Sequence, residues 1–242
     1  IFFAYGDISF SRLVRLLEKA QVGLSAASVI QRPQSAELPH HDFLQEPHTV
    51  IIPKHTHQAH VMTGTQACNV HDARRMPLYL LNNILGGPGM NAKLNLALRE
   101  HHGLVYTVES NLTTYSDLGY WSIYYGCDVH DIERCRRLVH RELQHFIDRP
   151  LSPSQLRAAK KQIKGQIGVA CDNRENFALD FGKSYLHYGW LKNIQHLYEQ
   201  IDEITSQQIQ EVAQEYFADE RLCVSLELII VKSQNQAREK NI

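Results

Sequence analysis

Long apolar runs are missing from this 242-residue sequence: one of its longest, residues 226–231, contains Glu227 and falls far short of the roughly 20 residues a bilayer-crossing helix needs. No segment is expected to span a membrane. An excess of charge of one sign is missing too. Lys and Arg total 25 against 26 Asp and Glu, a formal charge of −1, so nothing electrostatic points to nucleic acid as a partner. With 43% hydrophobic and 21% charged residues the composition is that of a folded domain, not of a disordered tail. Cysteine is scarce. Cys68, Cys127, Cys135, Cys171 and Cys223 are odd in number and contain no Cys-x-x-Cys pair, which fits a reduced, cytoplasmic chain better than a disulfide framework.

The familiar catalytic strings are absent as well. Despite 14 histidines, neither His-Glu-x-x-His nor His-x-x-Glu-His occurs. His140 and His145, five apart on an expected helix, diverge by roughly 140° and cannot share one ion. His55 and His57 fall on one side of an expected strand start and His60 on the other, so the cluster reads as a polar strand edge. His40-His41 and His101-His102 read as solvent-exposed. There is no Gly-Lys-Ser/Thr loop, no Gly-x-Gly-x-x-Gly after a strand and no Gly-x-Ser-x-Gly elbow, which removes the common nucleotide and nucleophilic-hydrolase readings.

What is present is a regular succession of elements. Residues 1–5 read as a strand running into a turn, with no initiator Met or basic signal region, and the expectation is that a preceding part has been cut away. Ser9 is placed to cap a helix whose stripe is Phe10, Leu13, Val14 and Leu17. A proline-bearing linker, residues 32–47, follows. Strands are expected over 49–52 and 58–65, then a helix from about 72 that carries Pro77 early and ends at Gly86, Gly87 and Gly89. A short helix over 91–101 should end at Gly103 in a left-handed conformation.

Strands over 105–114 and 119–129 should be joined by a hairpin at 115–118. Helices are expected over 131–148, from the capping box at Ser152-Pro153-Ser154-Gln155 to about 171, over 175–188 and 194–201, and from a second capping box at Thr205 to about 217. A strand over 222–231 closes the sheet, and the polar residues 233–242 should fray. The order predicts an α+β fold, an antiparallel or mixed sheet with helices packed on one face. The domain division expected is 1–31, linker 32–47, 48–232 and a tail at 233–242.

Two features invite a chemical reading. The Gly86-Gly87-Pro88-Gly89 loop precedes a helix start, whose amides suit an anion; the competing reading is a tight turn that uses glycine because positive φ is required. Arg99 on a helix and Tyr106 at the next strand start are joined by one turn, so a guanidinium that forks onto a carbonyl or carboxylate and a phenol that donates to an oxyanion can converge. The competing reading is that Arg99 only pairs with a neighbouring carboxylate and Tyr106 only packs in the sheet.

Leu81-Asn82-Asn83-Ile84-Leu85-Gly86-Gly87-Pro88-Gly89-Met90, then Lys93-Leu94-Asn95, then Leu98-Arg99-Glu100 to Gly103-Leu104-Val105-Tyr106, resembles the C-terminal half of the pitrilysin (insulinase) zinc peptidases, which include mitochondrial processing peptidase. Tyr5-Gly6-Asp7 before a helix is similar to the closing strand-helix of the preceding half. The resemblance implies two related halves that clasp a peptide, with zinc held by the N-terminal half and none by this one. It implies an Arg and a Tyr, here Arg99 and Tyr106, that orient the peptide and stabilise the oxyanion, and a glycine-rich substrate loop, here Gly86, Gly87 and Gly89. The partners implied are a zinc-bearing N-terminal half, in the same polypeptide or a separate subunit, and peptide substrates; the chain alone is expected to be inactive. The alternatives are a non-catalytic scaffold with the same fold, as in respiratory-complex core subunits, and a stand-alone His-rich metal-binding domain.

Overall fold

The computed structural model describes residues 4, 6–20, 49–53, 58–191 and 193–228. The expected strand 1–5, apart from Ala4, the linker 32–47, His40, His41, His55, His57 and the end of the last strand lie outside the described residues. The chain divides into two compact units. One takes Ile1–Asp42 with Gly165–Gln195, and the other takes Phe43–Lys164 with His196–Ile242.

In the first unit, α1 (Phe10–Ala20) starts at the expected cap, where the Arg12 amide donates to Ser9 Oγ at 3.4 Å. Leu13, Val14 and Leu17 are half-buried, whereas Phe10 at the head of the same stripe is exposed. This unit also holds α5 (Arg174–Tyr188); Asn173 caps its start and Gly189, at φ 70°, ends it in the left-handed region.

The second unit holds the sheet. Its strands β1 (Thr49–Pro53), β2 (Ala59–Ala67), β3 (Val105–Thr114), β4 (Gly119–Cys127) and β5 (Cys223–Leu228) lie in the order β1-β5-β2-β4-β3. The β1/β5 pair is parallel and the rest antiparallel, so the sheet is mixed and the expected α+β class holds. The hairpin at 115–118 closes with the Tyr115 amide on the Leu118 carbonyl at 2.7 Å. β3 is one of the two edge strands, and its register slips between Val105 and Val108.

Helices α2 (Arg75–Gly86), α3 (Ile132–Asp148), α4 (Pro153–Asp172), α6 (Ile194–Glu203) and α7 (Ser206–Tyr216) complete the chain. In α2, Pro77 sits in the first turn, where no intrahelical amide bond is lost, and Leu78, Leu81 and Leu85 fall on one buried stripe. Cys135, Leu138, Val139, Leu143 and Phe146 make the equivalent stripe of α3, and Ile209, Val212, Ala213 and Tyr216 that of α7. These meet Ala59, Val61, Trp121, Ile123 and Tyr125 from the sheet. Phe217, just past α7, lies 4.4 Å from the Trp121 ring by centroid, a distance at which offset aromatic pairs gain beyond their buried area.

Both capping boxes form. Ser152 and Gln155 exchange hydrogen bonds of 2.9 and 3.3 Å ahead of α4, and Thr205 and Gln208 exchange bonds of 2.9 and 3.2 Å ahead of α7. None of the five cysteines is in a disulfide. Among the described residues no helix is long and apolar enough to cross a membrane.

The short helix expected over 91–101 is present, shorter and more widely wound than an α-helix: Asn95–Glu100 is π-helical, with bonds spaced i to i−5, such as His101 N to Leu96 O at 3.0 Å. π-type turns of this kind recur at functional sites. The turn buries Leu94, Ala97 and Leu98 while Asn95 and Arg99, four apart, line the opposite side. Gly103 then takes φ 62°, the left-handed conformation expected of it.

Candidate functional site

Between the end of α2, the glycine loop, the π-type turn and β3 lies an open cavity of about 510 Å³, wholly inside the sheet-bearing unit. Its lining contains Gly86, Gly87, Gly89, Arg99 and Tyr106, so all five residues singled out in the sequence meet at one place. Asn82, Asn95, Glu109 and Ser110 line it as well.

The glycines are there for close approach, not for positive φ, which corrects one reading of the sequence. Among the described glycines only Gly6, Gly103 and Gly189 have positive φ. At Gly86 a Cβ would stand 2.5 Å from the Ser110 amide nitrogen and 2.7 Å from its Cβ, so the helix end lies directly on the β3 backbone. At Gly87 it would meet the Asn83 carbonyl oxygen at 2.6 Å. Gly89 faces a reciprocal amide pair, in which Asn91 Nδ2 donates to Gln162 Oε1 at 2.7 Å and Gln162 Nε2 donates back to Asn91 Oδ1 at 3.3 Å. That pair anchors the loop to α4, and Asn95 Nδ2 holds its far end through the Met90 carbonyl at 2.8 Å.

Arg99 reaches a carboxylate only loosely. Its Nε lies 3.7 Å from Glu100 Oε1 and its side chain is 50% exposed, so such a pair contributes little and leaves donors of the fork available. Tyr106 does not pack in the sheet: it is 81% exposed, beside the slip in β3 register. One turn before Asn82 on the same side of α2, Tyr79 also borders the cavity, and desolvation raises its pKa.

The histidines scatter. His60 hydrogen-bonds Tyr124 at 2.8 Å, His102 bonds the Ala97 carbonyl at 2.7 Å, and His140 pairs with Asp219 at 3.0 Å while His145 stacks edge-on against Phe146. Among the described residues no three His, Cys, Asp or Glu side chains converge as a metal site. The donor set among the described residues does not fit zinc.

The sequence reading missed the polar floor of the cavity. Trp121 Nε1 donates to Ser110 Oγ at 3.0 Å, and Ser110 Oγ donates to Asn82 Oδ1 at 2.6 Å. One signal for it existed: Asn82 stands one turn before Gly86 and next to the apolar stripe of α2, where a polar side chain needs a partner.

An α+β unit with a glycine-lined cavity beside an edge strand matches a known class. The family described as "Peptidase M16 inactive domain" matches residues 1–163, and the chain belongs to that family. It is 28% identical over 165 residues to an uncharacterized zinc protease of Streptomyces coelicolor, covering 68% of this chain and 36% of that protein. It is 26% identical over 174 residues to the mitochondrial-processing peptidase subunit beta of Bos taurus, covering 69% of this chain and 35% of the subunit. Among solved structures, a protease from Helicobacter pylori superposes with a TM-score of 0.79 at 18% identity, over 92% of this chain and 53% of that one. The chain thus spans little more than a third of the length of these two sequence relatives.

Proposed function

We propose that this chain forms the peptide-holding wall of a zinc endopeptidase whose metal is bound by a separate, N-terminal half, and that it does not hydrolyse peptides by itself. The observation that carries this reading is the meeting of Arg99, Tyr106 and the glycine loop around one cavity beside an edge strand. In it, Arg99 forks onto a carbonyl of the bound peptide and sets its register. Tyr106 donates its phenolic hydrogen to the oxygen that gains charge when that peptide's scissile carbonyl becomes tetrahedral. Gly86, Gly87 and Gly89 supply the loop backbone against which the peptide lies, and at Gly86 and Gly87 a side chain would collide with protein backbone and shift that loop.

The test is peptide hydrolysis by the full-length protein, with and without a chelator. Arg99→Ala and Tyr106→Phe are expected to lower turnover by about 10²-fold or more, the scale of removing an oxyanion donor, while bound zinc stays constant. Full turnover in both variants would overturn the assignment.

A further inference from the structure

The polar floor of the cavity has a direction. An indole N–H is a donor only, so Trp121 occupies a lone pair of Ser110 Oγ, and the single hydroxyl hydrogen of Ser110 goes to Asn82 Oδ1. The opposite amide orientation would aim an NH₂ group at an oxygen already accepting from Trp121. It would also strand the Ser110 hydroxyl hydrogen in a site that is 5% exposed, a costly arrangement. Asn82 Oδ1 is therefore held toward the sheet. Its Nδ2, with two hydrogens and no partner among the described residues, is left for the cavity that Asn82 lines.

Resting on the peptide-site reading above, we infer that Asn82 is a peptide-binding residue whose Nδ2 donates to a main-chain carbonyl oxygen of an extended peptide, with Ser110 and Trp121 as positioning residues. A neutral amide donor suits a neutral carbonyl, because a carboxylate in the same cavity would be drawn to Arg99. Peptides present a carbonyl at every residue, about 3.3 Å apart when extended, so contacts to Arg99 and Asn82 set register together.

Asn82→Asp separates this role from a structural one. The carboxylate still accepts from Ser110 and keeps its shape, but an acceptor replaces the donor facing the cavity. The measurement is fluorescence anisotropy of a labelled unstructured peptide on the full-length protein with metal chelated, so that binding is read without turnover. Asn82→Asp is expected to raise Kd about tenfold with an unchanged melting temperature, and Asn82→Ala to raise it similarly. Ser110→Ala should raise Kd by a smaller factor in the wild-type background and not at all beside Asn82→Asp, since its effect runs through Asn82.

A Kd for Asn82→Asp within about twofold of wild type, less than the scatter of an ordinary hydrogen bond, would overturn the inference while leaving the cavity reading intact if Arg99→Ala still weakens binding. A wild-type Kd unmoved by both Arg99→Ala and Tyr106→Phe would overturn the cavity reading and this assignment with it. Additive effects of Ser110→Ala and Asn82→Asp would refute the positioning role.

Discussion

Replacing Gly86 by alanine adds one methyl group at the tightest point of the site. The new Cβ would lie 2.5 Å from the Ser110 amide nitrogen, 2.7 Å from Ser110 Cβ and 3.1 Å from the Glu109 carbonyl carbon, against an ordinary contact of about 3.5–4 Å. The first and third of these atoms are backbone of β3, so no rotamer change relieves the clash. The end of α2 and the strand must separate by about 1 Å, at the cost of overpacking, about 1–3 kcal/mol. Alanine's better helix propensity returns at most about 0.5–1 kcal/mol, and less at a helix end. Urea unfolding should therefore show a lower midpoint at unchanged slope, and a melting temperature lower by several degrees at about 2–4 °C per kcal/mol. Gly165 in α4 supplies the control, because nothing described lies within 4 Å of its notional Cβ. There the same substitution should stabilise, by up to about 1 kcal/mol. A Gly86→Ala protein as stable as wild type, or a Gly165→Ala protein destabilised equally, would refute the claim that close approach selects the glycine.

Two further outcomes follow from the core and the caps. Burial raises the pKa of the Tyr125 and Tyr216 phenols, with Cys135 and Cys127 adding to the effect at the first and Cys68 at the second. A raised folded pKa leaves stability constant below the unfolded phenol value of about 10 and removes it as pH rises beyond that. Urea midpoints should be flat on this account up to about pH 9.5 and then fall, less steeply in Tyr216→Phe; an equally steep fall in that variant would contradict the burial argument. Thr205→Ala removes the hydroxyl that accepts from the Gln208 amide at 3.2 Å and should cost about 1 kcal/mol in a denaturant melt, so an unchanged midpoint would show that the α7 cap contributes nothing.

Much of the fold was legible because the signals for it are local. Ser9, Ser152 and Thr205 announced helix starts through capping chemistry that needs only neighbouring residues, and the stripe Leu78, Leu81, Leu85 announced which face of α2 is buried. The hairpin between β3 and β4 followed from two apolar runs and a short polar connection. The width of the 95–100 turn did not follow, since helical periodicity cannot distinguish i−4 from i−5 bonding over so few residues.

The same division runs through the site. By itself the sequence determined which chemical groups are present: a guanidinium, a phenol, a glycine loop, and no zinc motif. Tertiary structure alone decided that α2 lies on the β3 backbone closely enough to require Gly86, and that Trp121, Ser110 and Asn82, brought together from two strands and a helix, share one hydrogen-bond direction. The physical reason is range. Periodicity and capping act within a turn or two of chain, whereas steric exclusion and donor-acceptor order at the cavity floor depend on atoms 28 and 11 residues apart, which only the packed sheet and helix bring into contact.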